Sequence, residues 1–331
     1  MQSFRRRDLL LGAGTLLSAG ALLTAPRSAG AFLTEVTATT ASTRGPAMAA
    51  SAGQLTIGGD LRVNRMGFGA MRVTGAGIWG NPGDPAAAKR LLQRAVALGV
   101  NFIDTADAYG PDVSEILIAE ALHPYAKGLV IATKGGLKRP SQPEWTNDGR
   151  PQHLRAACEA SLKKLKLERI DLYQLHAIDP AVPLEDSLGE LAKLQKEGKI
   201  RHIGVSNFDL GELERALRVV KVVSVQNRYN VADRRSEDVV QYCARNDIAF
   251  IPWAPLAQSQ QAAGQQNPQI AALTALARQR NITVTQAALA WLLARSPVML
   301  PIPGTSSVGH LEENVAAAAV KLSPAEMEKI G

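Results

Sequence analysis

This sequence predicts an α/β fold in which eight parallel strands, each followed by a helix, close into a barrel behind a short β-hairpin. Three observations lead there. From residue 54 onward, short apolar runs alternate with stretches of helical period as far as residue 319. There are eight such pairs, which favours a closed barrel over an open doubly wound sheet. Several of the runs stop on a reactive polar side chain at the same end: Asp104, Lys134, His176 and the pair Ser206-Asn207. In a parallel barrel that end, where strands hand over to helices, is where chemistry is built.

The elements follow in order. Residues 54–57 and 61–63 flank Gly58-Gly59 as a hairpin. Strand one is expected at 65–69, and its helix at 85–98 starts on Asp84 as N-cap and stops at Gly99. The run Asn101-Phe102-Ile103 gives strand two, ending at Asp104 with the loop Asp107-Ala108-Tyr109-Gly110-Pro111 behind it. Its helix spans 113–122, where Ile116, Leu117 and Ala121 keep helical spacing. Further strands are expected at 129–133, 170–175, 200–205, 222–226, 249–252 and 298–302. The intervening helices fall at 152–164, 184–197, 210–219, 236–245, 269–280, 285–295 and 308–319. The connection at 135–151 is long and carries Trp145.

Length and charge set the limits. A chain of 331 residues can bury a large core, and this one carries a formal charge of +7. Arg5, Arg6, Arg7 and Arg27 against Asp8 place +3 of that excess in the first thirty-one residues. No basic run interleaved with aromatics appears, which argues against a nucleic-acid partner. Cys158 and Cys243 fall on separate expected helices and read as buried thiols.

Residues 1–31 read as a targeting segment. The Arg6-Arg7 pair precedes an uncharged apolar run over 9–25, and Ala29-Gly30-Ala31 offers a cleavage site for signal peptidase. The arginine pair resembles a twin-arginine export signal, whose route carries folded proteins and implies a periplasmic or exported product that engages the export machinery. An uncleaved membrane anchor is the alternative. The polar stretch 32–53 is expected to be a disordered linker, and 54–331 the barrel domain.

An open dinucleotide-binding sheet would carry a glycine fingerprint, and Gly75-Ala76-Gly77-Ile78-Trp79-Gly80 has its spacing. Asn81-Pro82-Gly83-Asp84-Pro85 follows it instead of a helix start, so the context fails.

From residue 54 to its end the chain resembles an aldo-keto reductase. The segments that carry the resemblance are Phe102 through Gly110, Ala132-Thr133-Lys134, Leu175-His176, Gly204-Val205-Ser206-Asn207-Phe208, Gln226-Asn227, Trp253-Ala254-Pro255-Leu256 and Pro301-Ile302-Pro303-Gly304-Thr305. They occur in the family's order with compatible gaps. The resemblance implies a (β/α)8 barrel, a nicotinamide cofactor held without a separate nucleotide-binding domain, and reduction of a small-molecule aldehyde or ketone by a monomer. It implies no metal.

Carbonyl reduction needs a proton for the developing alkoxide, and Tyr109 is the expected acid. A free phenol with a pKa near ~10 is a weak acid at neutral pH, and an adjacent ammonium, Lys134, is expected to lower it. Asp104 is expected to pair with Lys134, and His176 to donate to the substrate oxygen. By resemblance, Ser206, Asn207 and Gln226 hydrogen-bond the nicotinamide carboxamide and Trp253 stacks on the ring. Gly304, Thr305, Ser306 and Ser307 then lead phosphate to a helix start, with His310, Glu313 and Asn314 facing it.

Many relatives carry lysine where Gly304 stands and arginine where His310 stands. Their replacement weakens the argument for NADP; NADP is kept as the expected cofactor, with NAD as the alternative. Trp79, Trp145 and residues 258–267 are expected to wall the substrate pocket, a surface suited to aromatic carbonyls or a stacked sugar. Two other classes share such a barrel: a nucleotide-binding sensor without turnover, and a sugar-phosphate isomerase or lyase.

Overall fold

The computed structural model describes residues 48–256 and 267–331. The expected signal segment and most of the expected linker and of the 258–267 stretch lie outside them. Within the stretch expected to be a disordered linker, Met48–Ala52 forms a 3-10 turn whose Ala49 and Ala52 are buried, with the Ala49 amide donating to the Leu98 carbonyl at 3.0 Å. Small apolar side chains there fill a gap in the core, which composition counted over the whole stretch obscures.

The chain is a (β/α)8 barrel with an N-terminal hairpin. Strands β1 (Gln54–Ile57) and β2 (Leu61–Asn64) pair antiparallel. The barrel strands are β3 (Phe68–Gly69), β4 (Phe102–Asp104), β5 (Val130–Gly135), β8 (Ile170–Leu175), β9 (Ile200–Ser206), β10 (Val222–Gln226) and β11 (Ala249–Phe250). A small antiparallel pair, β6 (Leu137–Lys138) with β7 (Thr146–Asn147), decorates the loop after β5. The seven barrel strands are parallel neighbours in sequence order.

The eighth stave differs from its expectation. No full strand forms at 298–302; Met299 makes a single parallel bridge to Phe250. The segment still closes the circle, because the Phe250 amide donates to Val298 O and the Leu300 amide to Phe250 O, each at 2.9 Å. On its other side the Gly67 amide donates to Pro301 O at 3.0 Å. Pro301 and Pro303 lack the amide hydrogens that a longer ladder requires, so proline limits this strand to a bridge.

The helices are α1 (Pro85–Ala97), α2 (Val113–Leu122), α3 (Pro151–Leu165), α4 (Leu184–Lys196), α5 (Leu210–Leu217), α6 (Glu237–Arg245), α7 (Pro268–Arg280), α8 (Val284–Arg295), α9 (Val308–Ala316) and α10 (Pro324–Ile330). Local chemistry sets their starts. Asp84 accepts from the Ala87 amide with Pro85 in the first turn, and Asp209 with Glu212 and Thr283 with Gln286 form reciprocal capping boxes. Helix α10 is absent from the sequence reading because it buries only Ile330 and shows almost no apolar face.

Two apolar layers explain the strand sequences. Inside the barrel, Phe102, Val130, Ala132, Leu172, Val223 and Ile302 pack with Ile57, Leu61 and Val63 of the hairpin. Outside it, Ile103, Ile131, Tyr173, Leu175, Ile203 and Val225 meet the helices. Side chains alternate between these layers with the period of two that a strand imposes. The hairpin therefore plugs one mouth of the barrel, and the inward positions nearest the other mouth are left to polar residues.

Candidate active site

Asp104 ends β4 on the inward side, two residues after Phe102, and Lys134 follows Ala132 inward on β5. The Lys134 ammonium has no solvent exposure and donates to Asp104 Oδ1 at 2.6 Å, to Thr105 O at 2.9 Å and to the Tyr109 hydroxyl at 3.3 Å. Burial alone would discharge a lysine. Here desolvation pulls its pKa down, but Asp104 and Tyr109 outweigh it and the pKa ends above the ordinary lysine value.

The expectation for Tyr109 needs correcting in direction. Desolvation of the phenolate is the largest influence, Lys134 opposes it only in part, and the phenol is raised above its ordinary pKa. A phenolate formed in this site loses more hydration than one ammonium, shared with Asp104, returns to it. The phenol is accordingly protonated at neutral pH, and the ammonium serves it by stabilising the anion left once a proton departs.

The second carboxylate oxygen of Asp104 accepts from Gln174 Nε2 at 3.1 Å and from Gln226 Nε2 at 2.8 Å. Gln226 also donates to Gln174 Oε1 at 3.3 Å. Its amide hydrogens are thus spent inside the protein, so the hydrogen bond expected from Gln226 to a carboxamide falls to its oxygen, as an acceptor. Gln174 was missed by the sequence reading. Its signal was present: an amide at an inward position of the apolar strand β8, where an uncharged polar group has to find a buried partner.

His176 directly follows β8, with its ring edge-on to that of Tyr109 at 5.9 Å between centroids. Desolvation, aided by the Lys134 charge, holds its pKa well below the ordinary histidine value, so the imidazole is neutral. Its Nδ1 is buried without a hydrogen-bond partner. Asn207 steadies the backbone instead, donating to the His176 carbonyl at 3.0 Å and to Ser206 Oγ at 3.1 Å, while accepting from Trp253 Nε1 at 2.9 Å. Asn207 and Ala254 hold left-handed backbone, at φ of 62° and 50°. Asparagine tolerates that conformation; alanine does so at a cost that sites of function often carry.

A cavity of about 590 Å³ opens over this cluster. Asp104, Tyr109, Trp145, His176, Ser206, Asn207, Gln226, Trp253 and Gly304 line it, so strand ends from around the barrel meet in one space. Met71 and Arg72, from the turn after β3, also line it and were not anticipated. Trp79 is not among the lining residues. Its ring lies over the Arg139 guanidinium at 5.3 Å, and its backbone bridges Gly110.

The residues expected on the phosphate side are tied by local hydrogen bonds. Thr305 Oγ1 accepts from the Ser307 amide at 3.0 Å, and Ser307 Oγ caps α9 at the His310 amide at 3.5 Å. Ser306 lines an adjoining cavity that also takes in Arg72, and His310 is exposed. Glu313 turns away, accepting from Thr283 Oγ1 at 2.6 Å, and Asn314 is buried. Gly304 has a steric reason: a Cβ there would stand 2.7 Å from the Gly69 carbonyl oxygen, so no lysine fits without moving backbone.

With this geometry in hand, comparison with known proteins decides the family. The profile of the Aldo/keto reductase family matches residues 65–331. The chain belongs to the aldo/keto reductase family. Among its relatives, an uncharacterized oxidoreductase of Schizosaccharomyces pombe is 50% identical over 282 residues, covering 85% of this chain and 90% of its own. The pyridoxine 4-dehydrogenase of Escherichia coli is 41% identical over 271 residues, covering 80% of this chain and 93% of its own. An aldo-keto reductase of Klebsiella pneumoniae, solved with NADPH, superposes with a TM-score of 0.69 at 27% identity, covering 84% of this chain and 93% of that one.

The residues of this aldo/keto reductase site suit a nicotinamide dinucleotide. The Ser206 hydroxyl and the Gln226 oxygen offer a donor and an acceptor beside the Trp253 indole, within a cavity wide enough for a ring.

Proposed function

We propose that this aldo-keto reductase reduces an aromatic aldehyde to the alcohol with NADPH, and runs in reverse with NADP and the alcohol. The observation that carries the reading is the buried Tyr109 hydroxyl, 3.3 Å from the Lys134 ammonium and beside a neutral His176 in one cavity. The cofactor supplies the hydride. Everything else falls to the protein.

His176, neutral, donates to the carbonyl oxygen and fixes its direction. Tyr109 holds the proton that the alkoxide takes as it forms, and Lys134 receives the resulting phenolate as a neighbour. Asp104, with Gln174 and Gln226 on its other oxygen, keeps the ammonium in place and charged. Trp253 and Ser206 would hold the nicotinamide, with Gly304 through Ser307 and the start of α9 available to the phosphates. Retaining NADP over NAD rests on the NADP-bound neighbours, because the lysine and arginine of many relatives are missing here.

The aromatic substrate class is favoured by Trp145 and Trp253 in the pocket wall and by the relative named for a substituted pyridine alcohol. Residues 1–31 serve, in this reading, as a twin-arginine export signal that sends the folded enzyme to the periplasm.

The test is NADPH consumption with pyridoxal, benzaldehyde, an aliphatic aldehyde and an aldose, in wild type and Tyr109→Phe. Turnover of the aromatic aldehydes, lost by about 10³-fold in the variant while NADPH still binds, is expected. Full activity in Tyr109→Phe would remove the phenol from the reaction. NADPH binding without turnover of any carbonyl would make the protein a nucleotide-binding sensor.

A further inference from the structure

Arg139 lies on none of the strand ends that build the site, yet it is 6% exposed. Its Nη1 donates to Ile78 O at 3.0 Å, its Nη2 to Gly77 O at 3.2 Å and its Nε to Glu144 O at 3.0 Å. The guanidinium carbon also lies 4.0 Å from the centroid of the Trp145 ring and 5.3 Å from that of Trp79. No carboxylate among the described residues makes an ion pair with it. A buried cation whose partners are carbonyls and two indole faces contributes little as an ion pair; its geometry ties elements together.

The elements it ties are the turn after β3 and the loop after β5. Gln142 adds a second tie, donating to Ala76 O at 3.1 Å. The first turn is in turn fastened to the catalytic loop, because the Gly80 amide donates to Gly110 O at 2.6 Å, next to Tyr109. Trp145 completes the path: one face lies on Arg139, and its ring forms a T-shaped pair with that of Tyr109 at 6.4 Å between centroids. It lines the catalytic cavity, and it is 39% exposed, so packing alone leaves the indole free to swing.

We infer that Arg139 is a positioning residue that holds Trp145 against Tyr109 and thereby builds the wall on which an aromatic carbonyl substrate stacks. The inference deepens the reductase reading and rests on it. A planar guanidinium reaches three carbonyls while stacking on an indole; the ammonium of a lysine, a point charge on a flexible stem, does only part of this. A methionine keeps the apolar stem and loses every hydrogen bond.

The experiment compares wild type with Arg139→Met, Arg139→Lys and Trp145→Ala. KM and kcat are measured for benzaldehyde and for propionaldehyde, alongside the Kd for NADPH and the melting temperature. Arg139→Met is expected to raise KM for benzaldehyde about tenfold while changing KM for propionaldehyde less than twofold, with Trp145→Ala doing the same and Arg139→Lys falling between. The NADPH Kd stays within twofold. A second readout needs no turnover: iodide quenching of tryptophan emission increases in Arg139→Met, and the increase disappears when Trp145 is also replaced by Phe.

An unchanged ratio of the two KM values in Arg139→Met overturns the inference and leaves the reductase reading intact. Parallel losses for both aldehydes and for NADPH, tracking a lower melting temperature, overturn it as well by making Arg139 a scaffold residue. A wild-type protein that turns over neither these two aldehydes nor pyridoxal nor an aldose ends the reductase reading and this inference together.

Discussion

The Lys134 ammonium donates to the Tyr109 hydroxyl at 3.3 Å from a position with no access to solvent. Because the same ammonium is 2.6 Å from Asp104, the phenol faces a cation already partly neutralised. That sharing is why burial, and not the ammonium, decides the direction of the Tyr109 pKa.

Removing one partner of this pair leaves the other as a lone buried charge. Lys134→Met is expected to abolish reduction and to cost about 3–5 kcal/mol of stability, whereas the double variant Asp104→Leu with Lys134→Met recovers part of the stability and none of the activity. Urea unfolding and NADPH consumption separate the two effects.

The pH profile follows from two directions. Reduction needs the phenol protonated, so activity is present at low pH and lost as pH rises through the Tyr109 pKa, above the ordinary value of ~10. His176 acts as a neutral donor and is held well below ~6.5, so the acid limb also lies below the usual histidine range. A kcat/KM profile for reduction is expected to be flat between these limits. Loss of activity near neutrality would contradict the Tyr109 shift if it came on raising the pH and the His176 shift if it came on lowering it.

Gln174 touches the reaction only through Asp104 and Gln226. Gln174→Leu is expected to lower kcat about tenfold, leave the NADPH Kd within twofold and cost about 1–3 kcal/mol through the lost donor. Stopped assays at saturating cofactor, set beside NADPH fluorescence titration, check the split.

Behind the Tyr109 loop, Glu115 is wholly buried; Oε1 accepts from Thr133 Oγ1 at 2.6 Å, while Oε2 has no hydrogen bond and lies 4.0 Å from Lys164. Desolvation raises its pKa above the ordinary glutamate value. An acid raised in the folded state contributes stability that is complete below its unfolded pKa, near ~4.3, and lost as pH rises through the folded value. Glu115→Gln is therefore expected to match wild type near pH 4 and to exceed it at pH 8, the difference levelling off above the folded pKa. Melting curves across that range check the sign.

For the first residues the expectation concerns cellular fate. Replacing Arg6 and Arg7 by lysine is expected to hold the precursor in the cytoplasm, while the native protein reaches the periplasm with a mature start after Ala31. Fractionation and N-terminal sequencing read both.

What the sequence determined by itself was the list of reactive groups and the end of the barrel on which they sit. Strand endings are local properties, so Asp104, Lys134 and His176 could be assigned to one mouth without coordinates. The cap Asp84 likewise marked the start of α1, and helical spacing placed the other expected helix starts within a residue. Where the local signal was weak, as at Met48–Ala52 and Pro324–Ile330, elements went unseen.

Tertiary structure decided what each group is occupied with. Gln226 gives its hydrogens to Asp104, Glu313 turns to Thr283, and Arg139 joins two loops across a span of sequence that no pattern connects. Such pairings depend on how the closed barrel sets strands side by side and drapes its loops. The balance of desolvation against charge at Tyr109 depends on the same closure, because both are set by atoms that only the folded chain brings within a few ångströms.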